Sequence, residues 1–277
     1  MRATTNTLKK LGASALLTSS LVISAGAHAA LDNWGTYASA STSTCASFSD
    51  TCSVGTGPAE FAFGPDNVMG STSDAAISDV RGSAFASSTL EAVNSDLNTV
   101  VLRAQASGNA NGISSGFAAG IDAYTYTGTD PITLVINATL TGSVNNPSNS
   151  AFNDISGYIA LIPEFQLDGM GTIDLSGFFG EGIFPIDDAS MFLNATGSDT
   201  AFVSIDLQQG DSFYLYSTLS LGGANGGNTE SMNSLRYVFS TTDGLVSSSE
   251  AAVVPVPAAV WLMGSALLGL FGMRRKA

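Results

Sequence analysis

Apolar side chains recur at every second position in the longest patterned stretches of this chain. In one stretch Ile132, Leu134 and Ile136 share one face, while Thr133 and Asn137 fall on the other. A period of two is the spacing of a β-strand with one buried and one solvated face, and antiparallel sheets are built from such strands. Residues 201–207, 213–221 and 235–239 repeat the pattern, and further strands are expected around residues 84–92, 99–106, 117–126 and 158–162.

Turn-forming residues separate these stretches. Gly, Asn, Asp and Pro cluster at residues 108–112, 128–131, 142–147, 208–211 and 222–227. About eight or more short strands joined by such turns predict an all-β fold, an antiparallel β-sandwich that is jelly-roll-like. Helix is expected to be scarce, and residues 90–97 are the only helical segment predicted before the apolar C-terminus.

The charge of the chain is concentrated in its central span. Between residues 30 and 250 the basic residues are Arg81, Arg103 and Arg236 against all 23 acids of the chain, a net charge of −20. A body of that charge repels a phosphate backbone, so no nucleic-acid partner is expected. The single histidine, His28, precedes this span, and the span contains no lysine. The body therefore excludes Ser-His-Asp and Cys-His catalysis, lysine Schiff bases and histidine-based metal sites.

Residues 1–29 have the organisation of a secretory signal peptide. Basic residues open the segment, residues 11–25 form a short apolar region, and Ala27 and Ala29 supply a small-x-small cleavage site with Ala30 as the expected new N-terminus. The alternative is a permanent N-terminal anchor. The signal-peptide interpretation sends the acidic body across the inner membrane through the secretion machinery.

Residues 253–273 are uncharged and apolar, and a basic cluster follows them. As a helix these residues would be about 31 Å long, which matches the hydrocarbon thickness of a bilayer. Trp261 lies near the start of the predicted transmembrane helix, and Arg274, Arg275 and Lys276 should remain cytoplasmic. The alternative is a buried core helix that ends in a basic patch.

The order of residues in this tail resembles a known sorting signal. Val254, Pro255, Pro257, Ala258 and Trp261 are followed by small and leucine residues and by the basic cluster. The run resembles the PEP-CTERM signals that exosortases process, in the variant that begins Val-Pro-x-Pro-Ala, without the Glu of the name-giving motif. The resemblance covers residues 253–277. It implies a Gram-negative exporter, cleavage near the prolines by an exosortase-like protease, and transient contact with the inner membrane. It also implies delivery to the cell surface or an exopolysaccharide matrix.

The remaining chain divides into a body and a connection to this signal. Residues 30–250 form the secreted body, and residues 244–252, at the junction with the tail, are Ser-rich and acidic and are predicted to be a tether. Cys45 and Cys52 are expected to form a disulfide in the oxidising export compartment. An eight-residue loop closed in this way is stabilised by roughly 2.5 kcal/mol in the chain-entropy model. A free thiol pair and a metal site are the alternatives.

Acidic residues are concentrated between positions 164 and 188. Asp168, Asp174, Asp187 and Asp188 offer oxygen ligands for a structural calcium ion, and carboxylates are also the remaining acid–base option for glycan hydrolysis. Asp187 and Asp188 are adjacent, so on a strand they would point to opposite faces and could not form an acid–base pair. The alternative is that these acids are solvated loop residues that keep a secreted protein soluble.

Two pairs of tyrosines lie at strand spacing on the face expected to be polar. Tyr124 and Tyr126 form one pair, and Tyr214 and Tyr216 form the other. Exposed pairs of this kind could stack sugar rings, whereas buried ones would be cross-strand partners within the sheet. The sequence thus leads to an exported structural or adhesive protein without catalytic activity or cofactor. The alternatives are a glycan-binding module of the exopolysaccharide matrix and a carboxylate-dependent glycan hydrolase.

Overall fold

The computed structural model describes residues 35–43, 54–56, 60–63, 72–93, 97–167 and 183–247. These residues belong to one of the two compact units of the chain, residues 31–277, and the other unit, residues 1–30, lies outside the described part. Within the described ranges, no helix is both long enough and apolar enough to cross a membrane. The predicted signal peptide, the pair Cys45 and Cys52, and the predicted tail helix at 253–277 lie outside the described residues.

The described residues form fourteen strands and one short helix, which confirms the all-β prediction. The strands are β1 (Gly35–Ser43), β2 (Val54–Thr56), β3 (Glu60–Phe63), β4 (Thr72–Asp79), β5 (Gly82–Val93), β6 (Leu97–Gly108), β7 (Ile113–Tyr126), β8 (Ile132–Asn145), β9 (Ile155–Pro163), β10 (Asp187–Leu193), β11 (Gly197–Leu207), β12 (Ser212–Ala224), β13 (Asn228–Phe239) and β14 (Leu245–Ser247). The helix, α1 (Glu164–Leu167), is a single turn between β9 and β10.

The helix predicted at residues 90–97 is wrong. Leu90 belongs to β5 and Leu97 to β6, and these two strands pair with Leu90 opposite Val100 and Val93 opposite Leu97. Leu90 and Leu97 are both fully buried in the core. Residues 90–93 and residue 97 therefore belong to two paired strands, and residues 94–96 lie outside the described part of the chain.

The strands form two sheets in which every pairing is antiparallel. The first sheet has the order β10-β9-β12-β7-β1-β2, with β14 also paired to β7 and β3 to β1. The second sheet has the order β11-β8-β13-β6-β5-β4. The strands β6 to β13 pair in a nested order, β9 with β10, β8 with β11, β7 with β12 and β6 with β13. From β6 to β9 the chain changes sheet at every step. Because the two strands of each nested pair lie in the same sheet, the chain changes sheet again at every step from β10 to β13.

The inward-facing side chains of both sheets form one apolar core. Alternate residues of β8 lie in it, which confirms the face predicted from the sequence. The core includes Leu90, Leu97, Leu102, Leu134, Ile136, Leu140, Ile159, Leu161, Val203, Phe213, Leu215, Leu219 and Leu221. Burial of that many side chains, each contributing about 1.5–3 kcal/mol, is the main force holding the two sheets together.

The outer face of the first sheet carries a second apolar cluster. Its members are Ala119, Ile121, Ala123, Ile162, Leu167, Ile183, Tyr214 and Tyr216. Leu167 at the end of α1 and Ile183 pack onto the middle strands. The Gln166 amide donates to the Phe184 carbonyl oxygen at 2.7 Å and accepts from the Phe184 backbone N–H at 2.6 Å, which joins α1 to the segment before β10. The middle strands of this sheet are therefore covered on both faces.

The start of the predicted tether is folded. Residues 245–247 form β14, which pairs with β7, and the side chains of Leu245 and Ser247 are buried. The Ser247 hydroxyl donates to the buried Asp122 carboxylate at 3.0 Å. A tether can therefore begin only after residue 247, and residues 248–252 lie outside the described part of the chain.

Three hairpin turns interlock at one end of the fold. The Asn109 backbone N–H donates to the Arg81 carbonyl oxygen at 2.8 Å, and the Asn225 N–H donates to the Gly112 carbonyl oxygen at 3.0 Å. A side chain is not tolerated at the centre of this contact, because a Cβ atom at Gly112 would lie 1.8 Å from the Arg81 carbonyl oxygen.

Candidate functional site

The four tyrosines considered as a sugar-stacking platform are buried, so they do not form one, and the alternative that they support the sheet is the one that the structure favours. Tyr124 and Tyr126 face the core, and Tyr124 stacks on Phe213 with ring centroids 5.4 Å apart. Tyr214 and Tyr216 lie on the opposite side of the first sheet, in the second apolar cluster. The physical reason is that β7 and β12 are central strands covered on both faces. An aromatic ring on their second face supports the sheet and does not meet solvent.

Two of the four predicted calcium ligands, Asp187 and Asp188, lie within the described residues, and these two do not come together there. Asp168 and Asp174 lie outside the described residues. Asp187 and Asp188 follow one another on β10 and point to opposite faces, as predicted from their adjacency. Asp187 accepts a hydrogen bond from the Ser204 backbone N–H at 2.8 Å, and Asp188 lies beside Tyr158. Burial, and after it the negative charge of Asp188, raises the pKa of Tyr158 above its ordinary value.

The described ranges contain no group of three or more His, Cys, Asp and Glu side chains that could hold a metal ion. The opposed directions of Asp187 and Asp188 also prevent them from acting as the two carboxylates of a glycan hydrolase, which need to face one cleft about 5–10 Å apart.

Two aspartates join the edge strands of the two sheets. Asp187 of β10 accepts from the Ser204 backbone N–H of β11 at 2.8 Å, and Asp199 of β11 accepts from the Phe192 backbone N–H of β10 at 3.0 Å. Asp199 also accepts from the Thr200 backbone N–H at 2.9 Å. These carboxylates satisfy backbone donors that would otherwise be open to another strand, which is a common protection of sheet edges. Asp187 therefore has a structural role.

The outer face of the second sheet presents large apolar side chains to solvent. Phe202 on β11 and Val238 on β13 are 64% and 65% exposed, and both lie opposite the exposed Asn137 of β8. In the neighbouring row Thr139 of β8 lies between Thr200 of β11 and Arg236 of β13. We call these six residues the open face: Asn137, Thr139, Thr200, Phe202, Arg236 and Val238.

The open face has a distinctive charge. Among the described residues, Arg81 forms an ion pair with Asp79 and Arg103 forms one with Glu91 at 3.1 Å, whereas Arg236 forms none with a described acid. Arg236 is exposed, and no carboxylate is among the six residues. The open face thus offers an aromatic ring, an amide, two hydroxyls and a guanidinium that pairs with no described acid, within a body of strongly negative charge.

A prediction that considers only the apolar face of each strand does not identify the open face. The alternation in residues 201–207 and 235–239 correctly assigns Val203, Leu207 and Tyr237 to the core. The same alternation places Phe202 and Val238 on the solvated face, where large apolar side chains are unexpected. That mismatch is the signal in the sequence that could have identified the surface.

The predicted processing and disulfide residues lie outside the described residues. They are Ala27, Ala29, Ala30, Cys45, Cys52, Val254, Pro255, Pro257, Ala258, Trp261, Arg274, Arg275 and Lys276. Comparison with known proteins found no matching family model, no matching curated protein and no matching solved structure. The class that the fold defines is thus an all-β protein of two antiparallel sheets.

Proposed function

We propose that this chain is an exported protein held at the cell surface or in an extracellular polysaccharide matrix. There it would act as a structural or adhesive component without catalytic activity. The observation that carries the proposal is the tail, in which Pro255 and Pro257 open an apolar run that ends in a basic cluster. The resemblance of this tail to a sorting signal implies processing by an exosortase-like protease after passage through the secretion machinery.

The way the body uses its charged residues supports a structural role. Asp79 and Arg81 bond to each other at a turn, and Asp187 and Asp199 hold two sheet edges together. The buried Asp122 bonds to β14. Groups with such partners are engaged in maintaining the fold. A rigid acidic body of this kind suits a matrix component that must stay soluble until it is anchored.

We also propose that the two sheets form a β-sandwich of jelly-roll type. The nested pairing of β6 to β13 supports this, because a jelly roll can be described as one long antiparallel hairpin that is wrapped into two sheets. The additional strands β1 to β5 extend both sheets at their other edge.

The test is intact mass and fractionation of the protein in its native host. We expect loss of residues 1–29, a second cut near Pro255 and Pro257, and recovery in the matrix fraction. Replacing Arg274, Arg275 and Lys276 together by Gln should block processing, while Arg236→Gln in the body should leave processing unchanged. An uncut tail retained in the inner membrane would overturn the sorting proposal. Release by EDTA would indicate attachment bridged by calcium.

A glycan-binding module is the second candidate function, favoured by the open face. The Phe202 ring is 64% exposed between polar side chains, so its face is accessible for stacking on a sugar ring. The buried tyrosines do not contribute to this function.

A further inference from the structure

We propose that the open face is the glycan-contact surface of this protein and that its ligand is an uncharged polysaccharide. The inference rests on the proposed location in a polysaccharide matrix and identifies the site and the ligand class. It is carried by the juxtaposition of Phe202, Asn137 and Arg236 on adjacent strands.

The geometry of the open face suits a linear ligand. Phe202, Asn137 and Val238 lie side by side on β11, β8 and β13. Neighbouring strands are about 4.8 Å apart, so this row is roughly 10 Å long. The row of Thr200, Thr139 and Arg236 runs beside it, roughly 7 Å away along the strands. A sugar chain lying across the strands would place ring faces on the first row and hydroxyls toward the second.

The chemistry of each side chain matches one part of a sugar. The face of the Phe202 ring can stack on the C–H surface of a pyranose. The Asn137 amide both donates and accepts hydrogen bonds, and the Arg236 guanidinium offers several donors in a fixed plane. The Asn137 and Arg236 side chains are exposed, so a hydroxyl-rich ligand can take the place of water on them without leaving them unsatisfied.

The charge of the body argues for an uncharged ligand. A body with a net charge of −20 repels a polyanion, and one exposed Arg236 does not offset that repulsion. The open face itself contains no carboxylate and a single cation. An uncharged polymer approaches such a surface without an electrostatic barrier.

The size of the apolar area argues against a second copy of this chain as the occupant. A single aromatic side chain contributes about 150–250 Å² of contact, and Val238 adds less. A stable protein interface needs about 800 Å² from each partner. The surrounding outward-facing residues of β8 and β11 are threonines and serines with the half-buried Val135 and the exposed Asp206, and they do not supply the missing apolar area.

The experiment is affinity electrophoresis of the full processed protein through gels that contain soluble polysaccharides. The panel comprises a neutral β-glucan, a neutral galactan, a neutral mannan, polygalacturonate and the exopolysaccharide of the native host. We expect retardation by at least one neutral polymer and none by polygalacturonate, with and without EDTA. Phe202→Ala and Arg236→Gln should each weaken the retarding interaction about tenfold.

Matched controls separate the site from general effects on the surface. Phe192→Ala removes a phenylalanine that is 54% exposed on β10, and Arg103→Gln removes an arginine that is paired with Glu91. Both controls should bind as the unaltered protein does. No retardation by any neutral polymer, stronger retardation by polygalacturonate, or equal loss in the controls would overturn the proposal. Dimerisation abolished by Phe202→Ala in light scattering would also overturn it, in favour of a second copy.

Failure of this binding test and failure of the sorting proposal are distinguishable. The gel assay uses purified protein and does not depend on where the host places it. The fractionation experiment reports processing of the tail and does not depend on Phe202.

Discussion

Replacing Tyr237 by Phe should stabilise the protein. Tyr237 on β13 and Ser217 on β12 are 6% and 1% exposed, and neither hydroxyl has a hydrogen-bond partner among the described residues. Burial raises the pKa of Tyr237 above its ordinary value, and the nearby Ser217 hydroxyl partly opposes the shift. The Tyr237 hydroxyl has thus lost its hydration, and the nearby Ser217 hydroxyl compensates only part of that loss.

The size of the effect follows from the cost of that lost hydration. A buried hydroxyl without a partner costs about 1–3 kcal/mol, and the small void left by its removal offsets part of the gain. We therefore expect Tyr237→Phe to raise the free energy of unfolding by about 1–2 kcal/mol. For a body of this length the same change raises Tm by roughly 2–8 °C.

Urea denaturation followed by circular dichroism measures this difference, and the m-value should not change. Tyr126→Phe is the matched control, because the Tyr126 hydroxyl donates to the Asp130 carbonyl oxygen at 2.7 Å. That control should lose about 1 kcal/mol. If Tyr237→Phe is destabilised as much as Tyr126→Phe, the reasoning is refuted, and a double-mutant cycle with Ser217→Ala would show whether the two hydroxyls bond to each other.

Three further predictions concern the edges, the turns and the pH dependence of stability. Asp199→Ala should lose about 1 kcal/mol of stability and should increase self-association on size-exclusion chromatography, because the Phe192 backbone N–H becomes available to another strand. Gly112→Ala should lose more than about 3 kcal/mol or fail to accumulate as folded protein, because its Cβ would overlap the Arg81 carbonyl oxygen. Asp79→Asn should flatten the acid limb of the profile of stability against pH. Hydrogen bonds from Arg81 hold the pKa of Asp79 well below its usual range. The contribution of Asp79 to stability is therefore complete above the unfolded pKa of about 3.9 and is lost as pH falls toward the folded value.

Each of these changes has a control or a contradicting result. Gly226→Ala should cost about 1 kcal/mol, because Gly226 has a φ of +82° but nothing within 4 Å of the added Cβ. An Asp199→Ala protein that remains monomeric at every concentration would contradict the role of Asp199 at the edge. An Asp79→Asn protein with an unchanged acid limb would contradict the assignment of that limb to Asp79.

The faces of single strands could be predicted from the sequence, and their surroundings could not. Alternation in residues 132–141 identifies the buried side chains of β8, because its outer face is wet and its inner face is dry. The same method fails on β12, where Tyr214 and Tyr216 alternate with core residues and are nevertheless buried. Leu167 and Ile183 contribute to their cover, and both lie more than thirty residues earlier in the chain. The pattern within one strand contains no information about a distant segment that packs on it.

The order of the strands and the roles of the acids also depend on contacts between residues that are far apart in the sequence. The cluster of acids along the sequence makes Asp187 a candidate calcium ligand. Its actual partner, the Ser204 backbone N–H, is defined only when β10 and β11 become neighbouring edges of different sheets. The nested pairing of β6 to β13 depends in the same way on contacts across more than a hundred residues, such as that of Thr229 with Ala106.

The outer faces of the two sheets differ in composition. This difference allows the contribution of Phe202 to stability to be separated from its proposed role in binding. The first sheet has apolar residues such as Ile121 and Tyr216 on its outer face, and they are buried within the second apolar cluster. The second sheet has mainly hydroxyl side chains there, so it needs no cover, and Phe202 and Val238 remain exposed. An exposed phenylalanine forgoes about 1.5–3 kcal/mol of burial that a core position would provide, so it contributes little to the fold. Removing the Phe202 ring should leave stability nearly unchanged. Loss of binding in Phe202→Ala would therefore reflect the loss of a contact with the ligand and not the loss of the fold.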